Sequence, residues 1–239
     1  MIFAGILAGG IGSRMKIADM PKQFLPLKEK PIIIHTLEKF ILNEKFDKIY
    51  VGVHPNWLLH MEDLLKKYDL KSERVKIILG GKYRTDTILN IINEIKKDFE
   101  DTNLSDHILV THDSVRPFVT NRIINDNINA AIKFGACDTV VNAVDTIVVS
   151  ENNDTINTIP QRDHMYLGQT PQSFNLELIT KLYDKLSVDE KNILTDACKV
   201  CVLKDIPVKL VRGEYSNFKI TTITDYKVAQ SMLGGLESD

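Results

Sequence analysis

Along the first two thirds of the chain, apolar positions alternate between short β-branched runs and stretches spaced by three and four residues. These are the two periods that strands and helices impose. Ile2 to Ala8 reads as a buried strand, and past a glycine-rich turn Ile34, Leu37, Phe40 and Ile41 mark one face of a helix. Lys48 to Val53, Val75 to Leu79, His107 to Thr111 and Thr139 to Val144 repeat the strand pattern. Between them, Trp57, Leu58, Met61, Leu64, Leu65 and Tyr68, then Ile88, Ile91, Ile92 and Ile95, then Ile123, Ile124, Ile128 and Ile132 repeat the helical stripe. Such alternation predicts an α/β fold, a mostly parallel twisted sheet with helices on both faces.

The rhythm breaks between about Asn142 and Gln169. There Thr146 to Val149 and Thr155 to Ile159 flank the turn-rich Glu151-Asn-Asn-Asp154, which predicts a β-hairpin projecting as an arm suited to a partner subunit. Leu176 to Leu186, Glu190 to Lys199 and Thr224 to Leu233 are predicted helical, and Val208 to Val211 and Phe218 to Thr221 strand-like. Without repeats or linkers, the economical reading is one domain over residues 1–239 with an embedded β-arm at about 142–169.

Composition narrows the function. With 30 Lys+Arg against 32 Asp+Glu, a formal net charge of −2, the chain is no basic nucleic-acid coat. No apolar run approaches the ~18 residues of a membrane span. Arg14 and Lys16 follow the first apolar run, whereas a secretory signal places its charge before one, so a cytoplasmic protein is expected. Cys137, Cys198 and Cys201 are too few for a disulfide framework, and the Cys198-x-x-Cys201 pair has no second pair at zinc spacing; packing is the expected role. His35, His54, His60, His107 and His164 show no metal-ligand spacing and read as packing or surface residues.

The first strand runs into Leu7-Ala-Gly-Gly-Ile-Gly-Ser-Arg-Met15, followed by Pro21-Lys22-Gln23. Glycines after a first strand let backbone N–H groups approach phosphates. The dinucleotide fingerprint needs a third glycine where Met15 stands, and the Walker Gly-Lys-Ser/Thr occurs nowhere. Instead the loop carries Arg14, with Lys22 eight residues on, two cations able to neutralise a triphosphate. Gly80-Gly-Lys-Tyr-Arg84-Thr-Asp-Thr87, His112-Asp-Ser-Val-Arg-Pro-Phe118, Asp145-Thr146, Gln169-Thr-Pro-Gln172, Thr195-Asp-Ala197 and Asn217-Phe-Lys-Ile-Thr221 complete the set.

Together these motifs resemble the sugar and polyol phosphate nucleotidyltransferases, and among them the cytidylyltransferases, over almost the whole chain. The resemblance implies a single Rossmann-like nucleotidyltransferase domain that joins CTP to a polyol phosphate and releases pyrophosphate. Two branches are close: one acts on methylerythritol phosphate in isoprenoid synthesis, the other on ribitol 5-phosphate for teichoic acid or capsule. Leu7-Ala-Gly-Gly10, Ser114-Val115 and Gly168-Gln169 favour the ribitol 5-phosphate branch, which is the expected activity, with a partner reductase supplying that substrate.

In that reaction an acceptor phosphate oxygen attacks the α-phosphorus of CTP. A phosphate monoester has a second pKa of about 6 and needs no general base near neutrality. Charge cancellation and positioning remain as the task, which suits Arg, Lys and glycine amides. By resemblance, Arg14 and Lys22 stabilise the transition state. Leu7, Ala8, Gly9 and Gly10 hold the nucleotide, while Gly80, Gly81, Lys82, Tyr83, Arg84, Thr85, Asp86 and Thr87 recognise cytosine and ribose, with Asp113 and Ser114 closing that side. Arg116, Thr146, Arg162, Thr170, Thr195 and Lys219 match acceptor-binding positions. Thr146 and Arg162 lie on or beside the arm, and the resemblance implies a homodimer in which the arm completes the neighbour's site. Mg²⁺ is expected, held mainly by the phosphates, with Asp113 the one carboxylate near it.

Each residue also has a plainer reading: Arg116 beside Pro117 as a surface turn, Lys219 as a solvated strand face, Asp113 as a turn cap. Against these, Gly9, Gly81 and Asp113 all follow predicted strands, and open parallel sheets bind ligands at that edge. A CTP-binding module without turnover is expected to lack Arg14 or Lys22, and glycosyl transfer to carry a D-x-D motif; the chain has both cations and no such motif.

Overall fold

A computed structural model describes residues 1–10, 20–100, 102–187, 189–190, 194 and 196–234. The strands are β1 (Ile2–Ala8), β2 (Pro26–Leu27), β3 (Lys30–Pro31), β4 (Lys48–Val53), β5 (Val75–Leu79), β6 (Ile108–Asp113), β7 (Ala136–Asn142), β8 (Tyr166–Asn175) and β9 (Lys209–Arg212). The α-helices are α1 (Ile32–Ile41), α2 (Leu58–Lys67), α3 (Arg84–Asp98), α4 (Asn121–Phe134), α5 (Leu176–Asp184), α6 (Cys198–Val202) and α7 (Ile223–Gly234).

Seven strands form one sheet in the order β5-β4-β1-β6-β8-β7-β9, and β2 and β3 pair separately. All neighbours in the first half run parallel, β1 to β4 and β6 and β4 to β5; β8 alone is antiparallel to its two neighbours. The alternation of side chains along β1 splits the core in two. Ala4, Ile6 and Ala8 pack with Ile33, Leu37 and Phe40 of α1, Met61 of α2 and Ile124 and Ile128 of α4. Phe3 and Leu7 face the other way, onto Ile88, Ile91 and Ile92 of α3 and Ile179 and Tyr183 of α5. Both faces of the central strand are thereby buried, which explains its unbroken apolar run.

The predicted parallel strands and the helices at α1 to α5 and α7 appear close to their expected limits. Four expectations change. Thr139 to Val144 begins earlier, as β7. The Gln169-Thr-Pro-Gln172 stretch, read only as a motif, is the middle of β8, a central strand. A proline there is tolerated because the register shifts between Asp138 and Val140 on the partner strand, leaving residues 169–171 as a bulge. Phe218 to Thr221 joins no ladder; its backbone is tied by Ile220 N–H to the Val115 carbonyl at 3.0 Å. Of the helix expected over Glu190 to Lys199, residues 191–193 and 195 lie outside the described ones, Asp196 and Ala197 are not helical, and α6 starts at Cys198.

The arm is present as a chain reversal, held by one antiparallel bridge between Val149 and Thr158 and not by a continuous ladder. Its tip is closed by Asn152, whose side-chain oxygen accepts from Asp154 N and Thr155 N, both at 3.0 Å. The three cysteines are free and buried, and burial lifts the Cys137 and Cys201 thiols to about 12, in keeping with packing. Among the described residues no helix is long and apolar enough to cross a membrane.

Candidate active site

The C-terminal ends of β1, β4, β5 and β6 open on a cavity of about 440 Å³. Leu7, Ala8, Gly9 and Gly10 enter it from β1, and Lys22 and Gln23 from the short helical turn Lys22–Phe24. The β5–α3 turn contributes Gly81, Lys82, Tyr83, Arg84 and Thr87, and the end of β6 contributes Asp113, Ser114 and Val115; Lys219 closes one side. The loops converge because their backbones are almost in contact. A Cβ built on Gly80 would lie 3.1 Å from Gly9 Cα and 3.2 Å from the Val53 carbonyl carbon, and one on Gly81 2.0 Å from Asp86 Cβ. Only glycine fits these two positions without moving the main chain.

Asp113 is the electrostatic centre. Arg84 Nε stands 3.4 Å from its Oδ1, while Arg116 Nε at 3.3 Å and Lys219 Nζ at 3.0 Å share its Oδ2. Burial alone would raise this carboxyl; Arg84, Lys219 and Arg116 overcome that and hold it well below the usual carboxylate range. Three cations on one carboxylate leave an excess of positive charge where an anion would bind. Each cation is positioned by a different segment: Arg84 by the first turn of α3, Arg116 by the turn after β6, Lys219 by the extended stretch that Ile220 ties to Val115. Arg116 is buried and also donates from Nη1 to the Asn217 carbonyl at 2.8 Å. Arg84 Nη2 donates to Gln172 Oε1 at 3.0 Å, and the Gln172 amide donates in turn to Asp138 and Asp196.

The remaining expected residues sort by where their polar atoms are engaged. Thr87 Oγ1 accepts from Gly81 N at 3.0 Å, so this threonine shapes the turn as well as lining the cavity. Asp86 caps α3 by accepting from Tyr83 N at 2.9 Å, Thr85 is buried, and Gly80 packs beneath Gly9; none of the three lines the cavity. Thr170 is buried and bonded to Asp113 N and His112. Thr146 and Arg162 are exposed on the arm and outside the cavity, with Arg162 Nη1 donating to the Val144 carbonyl at 3.3 Å. Arg14 and Thr195 lie outside the described residues.

Two contributors escaped sequence reasoning. Gln23 is buried, and its amide donates to the carbonyls of Ala8 and Gly10, both at 2.9 Å. By engaging those carbonyls it leaves the glycine turn free to present N–H groups to a ligand. Its place next to Lys22 in the Pro-Lys-Gln motif was the available signal. His54, expected to be a packing or surface residue, lines the cavity at the end of β4, its Nδ1 accepting from Asn56 N at 3.3 Å; nothing local in the sequence distinguishes it.

A divalent ion is the usual companion of triphosphate chemistry, but Asp113 does not fit as its direct ligand. Its two oxygens are already occupied by three cations, which leave no negative charge to offer a metal. Among the described residues, one group has metal-ligand proximity: Asp138, Asp196 and Cys198, whose ligand atoms lie within 4.8 Å of one another. None of these lines the cavity.

Comparison with known proteins identifies the family. Residues 2–235 match the family model of IspD, 2-C-methyl-D-erythritol 4-phosphate cytidylyltransferase. The chain is similar to the 4-diphosphocytidyl-2C-methyl-D-erythritol synthase of Anaerococcus prevotii, with 26% identity, 98% of each chain covered and a TM-score of 0.77. It is also similar to the 2-C-methyl-D-erythritol 4-phosphate cytidylyltransferase of Francisella tularensis, with 28% identity over 96% of this chain and 98% of that one and a TM-score of 0.78. The Thermus thermophilus protein of the same description shares the fold at 22% identity over 97% of this chain and 98% of that one, with a TM-score of 0.72. With its glycine turn, cationic pocket and Rossmann-like sheet, the chain belongs to the 2-C-methyl-D-erythritol 4-phosphate cytidylyltransferase family.

Proposed function

We propose that the protein joins CTP to 2-C-methyl-D-erythritol 4-phosphate, forming the cytidine diphosphate conjugate and pyrophosphate. The observation that carries this reading is the fixed excess of positive charge around Asp113, facing the glycine turn and Lys22 across one cavity. An oxygen of the acceptor phosphate attacks the α-phosphorus of CTP, a new P–O bond forms, and the bond to the β-phosphate breaks, its electrons leaving with pyrophosphate. The nucleophile is already anionic, so no side chain need remove a proton.

The chain's own residues bring two anions together. Backbone N–H groups at Gly9 and Gly10, with Lys22 and Arg14, hold the triphosphate and take up charge on the transferring and leaving oxygens. Gly81, Lys82 and Tyr83 border the nucleoside. Lys219, with a third of its side chain exposed, offers its ammonium to the acceptor phosphate, while Arg84 and Arg116 hold Asp113 and tune the field. A divalent ion would be carried by the phosphates and water. Thr146 and Arg162, exposed on the arm, complete the acceptor site of a second copy. Val144, Val148, Ile156 and Ile159 on the same arm are exposed apolar residues suited to burial in a homodimer. Dilution with sedimentation is expected to show a dimer; a fully active monomer would remove the shared site.

A second acceptor, ribitol 5-phosphate, is favoured by Leu7-Ala-Gly-Gly10, Ser114-Val115 and Gly168-Gln169, and would place the enzyme in envelope polymer synthesis beside a reductase. A polar pocket discriminates against a substrate that leaves its groups unpaired, by up to about 10⁴-fold. Pyrophosphate release from CTP with the two acceptors in parallel separates the readings. Turnover with methylerythritol phosphate is expected; turnover confined to ribitol 5-phosphate would move the assignment to the second branch.

A further inference from the structure

His112 is wholly buried at the penultimate position of β6, and its ring joins both ends of the turn that presents Asp113 and Arg116. Asp113 N–H donates to Thr170 Oγ1 at 3.1 Å, so the hydroxyl oxygen is an acceptor there. The same oxygen lies 2.9 Å from His112 Nδ1. On the far side of the ring, Nε2 lies 3.2 Å from the Arg116 carbonyl, which can only accept. Nε2 therefore carries a hydrogen, and burial keeps so enclosed a ring neutral, which leaves the lone pair on Nδ1 to accept the Thr170 hydroxyl hydrogen. The turn is closed by Arg116 N–H on the Asp113 carbonyl at 3.1 Å, and the Phe40 ring covers the imidazole with centroids 5.1 Å apart.

We propose that His112 is a positioning residue of the transfer reaction: as the neutral Nε2–H tautomer it locks Thr170 and the Asp113-to-Arg116 turn into one hydrogen-bonded ring. Thr170 then acts through that turn and not on the acceptor phosphate. Its hydroxyl has its donor and an acceptor site in use, and its side chain reaches the turn because the β8 bulge carries it there. The ring sets where Asp113 and Arg116 stand, and through Asp113 the position of Lys219. Misplacing reacting groups by about 1 Å can cost about 100-fold in rate, so such a clamp has a kinetic signature.

The kinetic half of the test rests on the cytidylyl transfer proposed above; the spectroscopic half does not. Long-range ¹H–¹⁵N spectra of the full-length protein, with His112 assigned by its loss in His112→Gln, are expected to show the Nε2–H pattern with and without CTP. An Nδ1–H or doubly protonated ring at neutral pH overturns the proposal whether or not the enzyme turns over. In steady-state assays Thr170→Val and His112→Phe should each lower kcat about 10-fold or more, with acceptor KM changed by less than about 2-fold. The double variant should be about as slow as the worse single one, because the two residues act as a unit. Thr170→Ser, which keeps the hydroxyl, should restore the rate. A rise confined to acceptor KM in Thr170→Val, with His112→Phe at wild-type rates, would make Thr170 a ligand and overturn the clamp.

Discussion

The two ends of α3 each meet a carboxylate and cation cluster, and the two clusters differ in their balance. At its C-terminal end Asp98 accepts from Lys48 at 2.7 Å, Lys76 at 2.6 Å and the Tyr50 hydroxyl at 2.9 Å, while Glu94 takes Lys76 at 2.8 Å. With Lys97 3.2 Å from Glu94, three ammonium groups face two carboxylates. At its N-terminal end Arg84 joins Arg116 and Lys219 around Asp113, the one carboxylate at contact distance among the described residues. The C-terminal cluster, nearer to balance, ties β4, β5 and α3 together at the edge remote from the cavity, whereas the N-terminal one, with three cations to one carboxylate, has charge left for a ligand. The same residue types thus serve structure at one end and binding at the other, and the charge count at contact distance tells them apart.

Removing the carboxylate from the N-terminal cluster should have the largest effect. Asp113→Ala leaves Arg84 and Arg116 buried without their partner, a loss of about 3–5 kcal/mol in urea unfolding, accompanied by collapse of transfer activity. Lys219→Ala removes the most exposed of the three cations while two others still hold Asp113. Its stability should be nearly unchanged and its kcat/KM for the acceptor lower by about 10-fold or more; unchanged acceptor kinetics would remove Lys219 from the acceptor site.

Acid should strain both ends. At Asp98 burial would raise the carboxyl, but Lys48, Lys76 and Tyr50 bring it from the ordinary 3.8 down to about 2. A depressed folded pKa contributes stability that is present above about pH 4 and lost as pH falls towards 2. Asp98→Asn should flatten that part of a stability–pH curve. Asp138 runs the other way: burial, then the neighbouring Asp196, raises it from 3.8 to about 7. Its contribution is present below about pH 4 and fades as pH rises through 7, so Asp138→Asn should flatten the melting profile across that interval. The smallest effect belongs to the C-terminal end of α3, where Lys48→Met should cost no more than about 1 kcal/mol and leave transfer untouched.

The parallel half of the fold was legible because its strands are apolar on both faces and its helices keep clean stripes, as Ile88, Ile91, Ile92 and Ile95 do. β8 was not, because Gly168, Thr170 and Pro171 look like a loop; its burial comes from β6 and β7, which are distant in sequence. The cavity's cations and glycines were legible from the motifs. Which of them face the ligand was not, since Asp86, Thr170 and Arg116 are diverted to capping and clamping by partners that spacing does not reveal. Gln23 shows the converse, a side chain that reads as neutral filler and pins the glycine turn.

A crystal structure of the protein with CTP and a non-reactive acceptor phosphate would show where each anion sits against the Asp113 cluster. The triphosphate is expected against Gly9, Gly10 and Lys22, and the acceptor phosphate within reach of Lys219 across the cavity. Nucleotide bound elsewhere, or an acceptor phosphate remote from the Asp113 cluster, would contradict that placement.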